Sequence, residues 1–182
     1  MAMSFEELDE ATRQCMLEEF ELEIASENPY YGQNLSPMGR EMFPELMRQA
    51  IRDGNEETLT AALNRASFWN PAEPHTRKGV VHQRRINVQQ QSERLALTEF
   101  NTWYVRGLAR RLLDEGVTQC QVYRAAVPKW RAPAACREHE GAIFPVSVIY
   151  EGHRARYWPT ANLQAISIPF GPNCHHTIRR VR

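Results

Sequence analysis

The chain has 182 residues, of which 42% are hydrophobic and 24% charged. That balance belongs to a folded globular protein, with room for one domain or for a helical part and a small appendage. Its 22 acidic and 22 basic residues cancel, but residues 1–60 carry 14 acids and 4 bases, a net −10, and residues 61–182 carry 8 acids and 18 bases, a net +10. Such polarity points to head-to-tail contacts between copies or to a basic end facing an acidic partner, the alternative being that both faces are solvated. No run approaches the roughly 18 apolar residues of a membrane span. The acidic start lacks the basic and apolar regions of a signal peptide. Four cysteines, two of them isolated, fit a reducing compartment better than a disulfide scaffold.

In chain order, Ser4-Phe-Glu-Glu7 reads as a capping box. Phe5, Leu8, Ala11, Cys15, Met16, Phe20 and Ile24 follow at helical spacing, so a first helix is predicted to about Ser26. Ser36-Pro37 caps a second; Pro44 is expected to split it or to start a fresh segment, which ends near Asp53-Gly54. Asn55 caps a third, with Leu59, Ala62, Leu63 and Ala66 on its buried stripe. Residues 67–86 hold the turn signals Asn70-Pro71, Glu73-Pro74 and Lys78-Gly79 and the basic run His82 to Arg85; they read as a linker or arm. Asn87 to Glu115 is the longest periodic segment, closed by Gly116, and would reach roughly 40 Å as a helix. Its face of Leu95, Leu97, Phe100, Trp103, Tyr104, Val105, Leu108, Leu112 and Leu113 makes it the expected core spine.

After Gly116 the period becomes two. Strands are predicted over Val117–Ala126, Ile143–Tyr150 (with Pro145 implying an edge or bulge) and Ala165–Ile168. The loop Gly152 to Pro159 is basic and aromatic, a surface loop with a Trp anchor or a stacking platform for bases. Within this region lie two groups of soft-metal ligands, Cys136-x-x-His139 and Cys174-His175-His176, with 34 residues between His139 and Cys174. A tetrahedral Zn²⁺ takes four thiolate or imidazole ligands and could pin a small subdomain lacking a core of its own. Cys136, His139, Cys174 and His176 are the candidate ligands, with His175 as substitute for His176; ordinary buried cysteines and solvated histidines are the competing account.

The order of a long helix bearing Leu97-Thr98-Glu99-Phe100-Asn101, a C-x-x-H-x-G knuckle and a closing Pro172-Asn173-Cys174-x-His176-Thr177 resembles the phage Mu F-like minor head protein, or phage head morphogenesis, domain. The likeness covers roughly residues 87–182. Thr98-Glu99, Cys136, Gly141, Pro172-Asn173-Cys174 and Thr177 match the family pattern. His139 and His176 stand where it has cysteine, and Gly171 where it has histidine.

The expected organisation is therefore α+β: an acidic helical region (1–66), a linker or arm (67–86) and a minor-head-protein-like domain (87–182). That domain comprises the long central helix and a small C-terminal β-rich subdomain with a Cys/His cluster. The resemblance implies a non-enzymatic virion component. It would be made in the host cytoplasm and associated in several copies with the portal or major capsid protein, inside the head, acting in head assembly or DNA delivery. Structural zinc is the expected cofactor. Packaged DNA is a further expected partner of the basic half, with Arg84, Arg85, Arg154, Arg156, Arg179 and Arg180 as candidate contacts. Two alternatives are carried: a metal-dependent nuclease of the HNH or His-Cys kind using His175 as general base, and a zinc-containing nucleic-acid-binding module.

Overall fold

The computed structural model describes residues 3–127 and 138–181, the side chain of Arg77 excepted. Helix α1 (Glu10–Ile24) is capped by Asp9, whose carboxylate accepts from Thr12 N–H at 3.0 Å. Ser4, the expected cap, is engaged elsewhere. Its N–H donates to the Ala125 carbonyl (2.9 Å), and its own carbonyl accepts from the Tyr123 hydroxyl (2.7 Å). Phe5 beside it packs on the rings of Phe100 and Tyr104. These tertiary contacts outweigh one capping turn.

Helix α2 (Pro37–Asp53) starts as expected, with Ser36 Oγ accepting from Gly39 N–H. Pro44 does not split it. Phe43, Met47, Ala50 and Ile51 bury one face on both sides of the proline, and the carbonyl left without an intrahelical donor belongs to exposed Arg40. Helix α3 (Glu56–Leu63) carries a reciprocal cap between Asn55 and Thr58; Ala66 lies beyond it in a 3₁₀ turn, Ala66–Phe68. The predicted linker contains an antiparallel hairpin instead, β1 (Ala72–Arg77) and β2 (Val80–Arg85). Lys78 (φ 50°) and Gly79 (φ 77°) form its two-residue turn, the positive-φ pair that matches strand twist.

Helix α4 (Val88–Asp114) is the spine, capped by Asn87. Its central two turns, Glu99 to Val105, are buried on every side, which marks a helix enclosed by other elements. Gly107 lets α1 approach: a Cβ there would sit 2.7 Å from Met16 N. Strand β3 (Gln119–Arg124) follows, then β4 (Ile143–Pro145), α5 (Val146–Glu151) and β5 (His176–Arg180). The sheet order is β4-β3-β5, antiparallel throughout.

Two strand expectations are corrected. Ile143–Tyr150 is a three-residue edge strand that Pro145 ends, because its φ of −58° suits a helix start and Val146 and Ile149 bury one face of α5. Ala165–Ile168 is loop, and the third strand is β5.

Among the described residues one large interior joins Met16 and Phe20 of α1, Phe43 and Ile51 of α2, Trp103 of α4 and Ile178 of β5, and a smaller cluster holds Met3, Tyr123 and Ala125. The helical region and the C-terminal part share the large one. Among the described residues no helix is long and apolar enough to cross a membrane.

Candidate metal centre

Backbone hydrogen bonds bring the second knuckle and the described part of the first, His139 to Gly141, to one end of β3. His176 opens β5 opposite Arg124. Ala125 N–H donates to the His175 carbonyl (2.8 Å), and Asn101 Nδ2 of α4 donates to the His176 carbonyl (2.8 Å). Asn173 in the left-handed region (φ 67°) turns the chain just before Cys174. From the other side Gly141 N–H donates to the Val122 carbonyl (2.9 Å), and Ala142 N–H to that of His139 (3.1 Å). Gly141 has φ +82°, so the glycine of the C-x-x-H-x-G pattern supplies a turn that other residues would strain.

At this convergence Cys174 Sγ lies 3.9 Å from His176 Nδ1, and His176 Nε2 lies 3.3 Å from Glu140 Oε2. Cys174 and His176 are buried, 1% and 2% exposed. Glu140 also pairs with Arg124 at 2.5 Å, and chiefly that guanidinium holds its carboxyl below the usual range. Burial disfavours a charged His176, but the Cys174 and Glu140 contacts prevail and raise its pKa.

Two ligands on one tetrahedral zinc stand about 3.5 Å apart, from Zn–S near 2.3 Å and Zn–N near 2.0 Å. The Cys174–His176 pair is close to that spacing, and a carboxylate on the other imidazole nitrogen is the usual support of a metal-bound histidine. The donor chemistry of this pair therefore fits zinc.

The other predicted ligands are placed differently. His175 is 5% exposed, with Nδ1 2.9 Å from the Asn173 carbonyl, and burial lowers its pKa. That is not the solvent-facing base a nuclease would use. The His139 ring stacks on Phe170 (centroids 4.9 Å) and meets the edge of Phe144. Cys136 lies outside the described residues. Among the described residues no three His, Cys, Asp or Glu side chains form a group able to hold a metal ion.

Sequence reasoning missed Glu140, although it sits inside the first knuckle; only the strand pairing shows that it faces His176. The buried atoms Asn101 Oδ1, Thr177 Oγ1 and Asn173 Oδ1 around the closing turn have no hydrogen-bond partner among the described residues. Cys120 stands apart on β3, its thiol pushed up to about 12, first by burial.

The candidate nucleic-acid contacts are largely engaged within the chain. Arg154 is 3% exposed and donates to both Glu99 oxygens (3.1 and 2.6 Å), to Glu23 (3.1 Å) and to the Tyr157 hydroxyl (3.0 Å). Its guanidinium also lies over the Tyr30 and Trp103 rings. A guanidinium buried this deeply, with four internal hydrogen bonds, does not reach a phosphate, contrary to the expectation for Arg154. Arg156 donates to the carbonyls of Leu163 and Ala165. Arg179 pairs with Glu6, and Arg180 with Glu7 and Glu115. Arg84 pairs with Glu73 and remains half-exposed; Arg85 is exposed on β2. Comparison with protein-family models, curated proteins and solved structures gives no match to this chain.

Proposed function

We propose that this chain is a structural component of phage heads, of the Mu F-like minor head kind, acting in head assembly or DNA delivery beside the portal. In this reading a Zn²⁺ ion ties its two C-terminal knuckles together. The observation that carries the reading is the Cys174–His176 pair, backed by Glu140 and met by the His139–Gly141 turn at one end of the sheet. Cys174 Sγ and His176 Nδ1 would hold the ion, with Cys136 and, once its ring leaves the stack on Phe170, His139 as the first knuckle's ligands and Glu140 orienting His176. Bound zinc would supply folding free energy and rigidity rather than chemistry. Support also comes from the order of motifs along residues 97–177 and from Thr98-Glu99, where Glu99 fixes Arg154 and thereby the 152–159 loop against α4.

The test is composition of the particle. Heads purified from the parent phage should contain the chain, and it should co-sediment with portal and major capsid protein encoded nearby. Absence from both mature heads and assembly intermediates would contradict the proposal.

A further inference from the structure

Among the described residues, the hairpin β1–β2 gathers basic charge that the acids of the first helix do not meet. Six arginines of residues 61–182 reach back to acids of the first 23 residues: Arg106 and Arg110 to Glu19, Arg111 to Asp9, Arg154 to Glu23, Arg179 to Glu6 and Arg180 to Glu7. Residues 72–85 instead contain Arg77, Lys78, Arg84 and Arg85 against one acid, Glu73, with His75 and His82 paired across the strands. Every residue of β2 is exposed, as are Pro74, His75 and Thr76 of β1.

The ribbon is fastened at its root. Trp69 and Ile86, on either side of it, are buried in the core, and Ile86 N–H donates to the Pro71 carbonyl. Glu73 accepts from Asn34 (2.7 Å) and from Gln91 of α4 (3.1 Å) and pairs with Arg84. Beyond that root a two-stranded ribbon projects with neither face covered. Isolated hairpins are marginal in water, so such an arm is best explained by a surface that it meets.

We infer that residues 72–85 form an arm that binds duplex DNA. Net charge, dimensions and composition select this partner. A two-stranded ribbon fits the major groove, about 12 Å wide, and six-residue strands give it about 20 Å of reach. The arm has no Phe, Tyr or Trp to anchor a protein interface. Its polar, positive surface matches the composition of DNA interfaces. Lys78 at the turn and Arg85 near the root are placed for phosphates, and His75, His82, Gln83 and Thr76 lie between them. This inference is independent of the zinc reading and does not require a head location.

The test is fluorescence anisotropy of a labelled mixed-sequence 30-bp duplex with the full chain, titrated at several salt concentrations. The unmodified chain should bind with affinity that falls steeply with salt. Lys78→Glu with Arg85→Glu should weaken binding at least about tenfold and reduce the salt slope by about 2, since each lost phosphate contact removes about 0.9. Arg40→Glu with Arg52→Glu, the same charge change on exposed positions of α2, should change affinity less than about threefold. Equal melting temperatures show that both doubles are folded. An unmodified chain without duplex affinity, or equal losses in the two doubles, would overturn the assignment. So would a ribbon variant that keeps DNA binding while losing an acidic protein partner.

Discussion

At the residue scale, the strongest commitment is Arg154. Burial disfavours its charge, but the carboxylates of Glu99 and Glu23 hold it protonated. Glu99 and Arg154 each leave 2% of their side chain exposed, so removing one partner strands a buried charge. Arg154→Ala should cost about 3–5 kcal/mol in denaturant unfolding, and Arg154→Lys should recover little, because one ammonium cannot span both carboxylates. A loss under about 1 kcal/mol would remove the cluster from the stability account.

His153 beside it gives a pH signature. Burial pushes its imidazole down to about 4; Glu23 on α1 opposes this, while Arg154 and Arg106 on α4 reinforce it. The folded chain keeps His153 neutral and the unfolded chain protonates it near 6.5. Its contribution is thus complete above pH 6.5 and is lost as pH falls towards 4, on the order of 3 kcal/mol in all. His153→Gln should flatten the fall in melting temperature across that window; an unchanged slope would rule His153 out as its source. None of this was legible beforehand. The 152–159 loop reads as a basic surface loop, and only the fold shows that Arg154 and the neutral His153 ring lie against acids more than 50 residues away.

At the element scale, helices are legible where capping and periodicity agree, as at Ser36 and Asn55, and where periodicity is long, as from Asn87. They were misread where a tertiary contact overrode the local signal, as at Ser4. Strands were harder. β5, with the sequence His-Thr-Ile-Arg-Arg, is not among the predicted strands, and it is a strand because β3 offers it a full register. The hairpin was hidden by Pro74 and by the lack of a buried face, the usual source of strand alternation. Gly107 tests the central packing. On helix propensity alone Gly107→Ala should stabilise α4 by up to about 1 kcal/mol. Because the new methyl would meet Met16 backbone atoms at 2.7 and 2.8 Å, we expect a loss of about 1–3 kcal/mol instead. A lower urea midpoint at unchanged m-value would bear this out, and a raised midpoint would contradict the close α1–α4 crossing.

At the scale of the whole molecule, the −10/+10 division serves largely to join the chain to itself. Acids of the first 23 residues meet arginines of α4, the 152–159 loop and β5, several of them part-exposed pairs of modest worth each. The polarity was visible in the sequence, but its use was not, because an intramolecular and an intermolecular seam look alike without coordinates. The two knuckles were likewise visible, and the fold brings parts of both to one strand end. It sets the His176 ring between Cys174 and Glu140 and the His175 ring against the Asn173 carbonyl, while Cys136 lies outside the described residues.

The central claim is that zinc joins these knuckles through Cys174 and His176. Metal analysis of the chain purified without added zinc tests it most directly. The account predicts about one zinc per chain, a stoichiometry retained by His175→Ala and largely lost in His176→Ala and Cys174→Ala. Less than about a tenth of an equivalent in the unmodified chain, with no loss of stability on chelation, would contradict it.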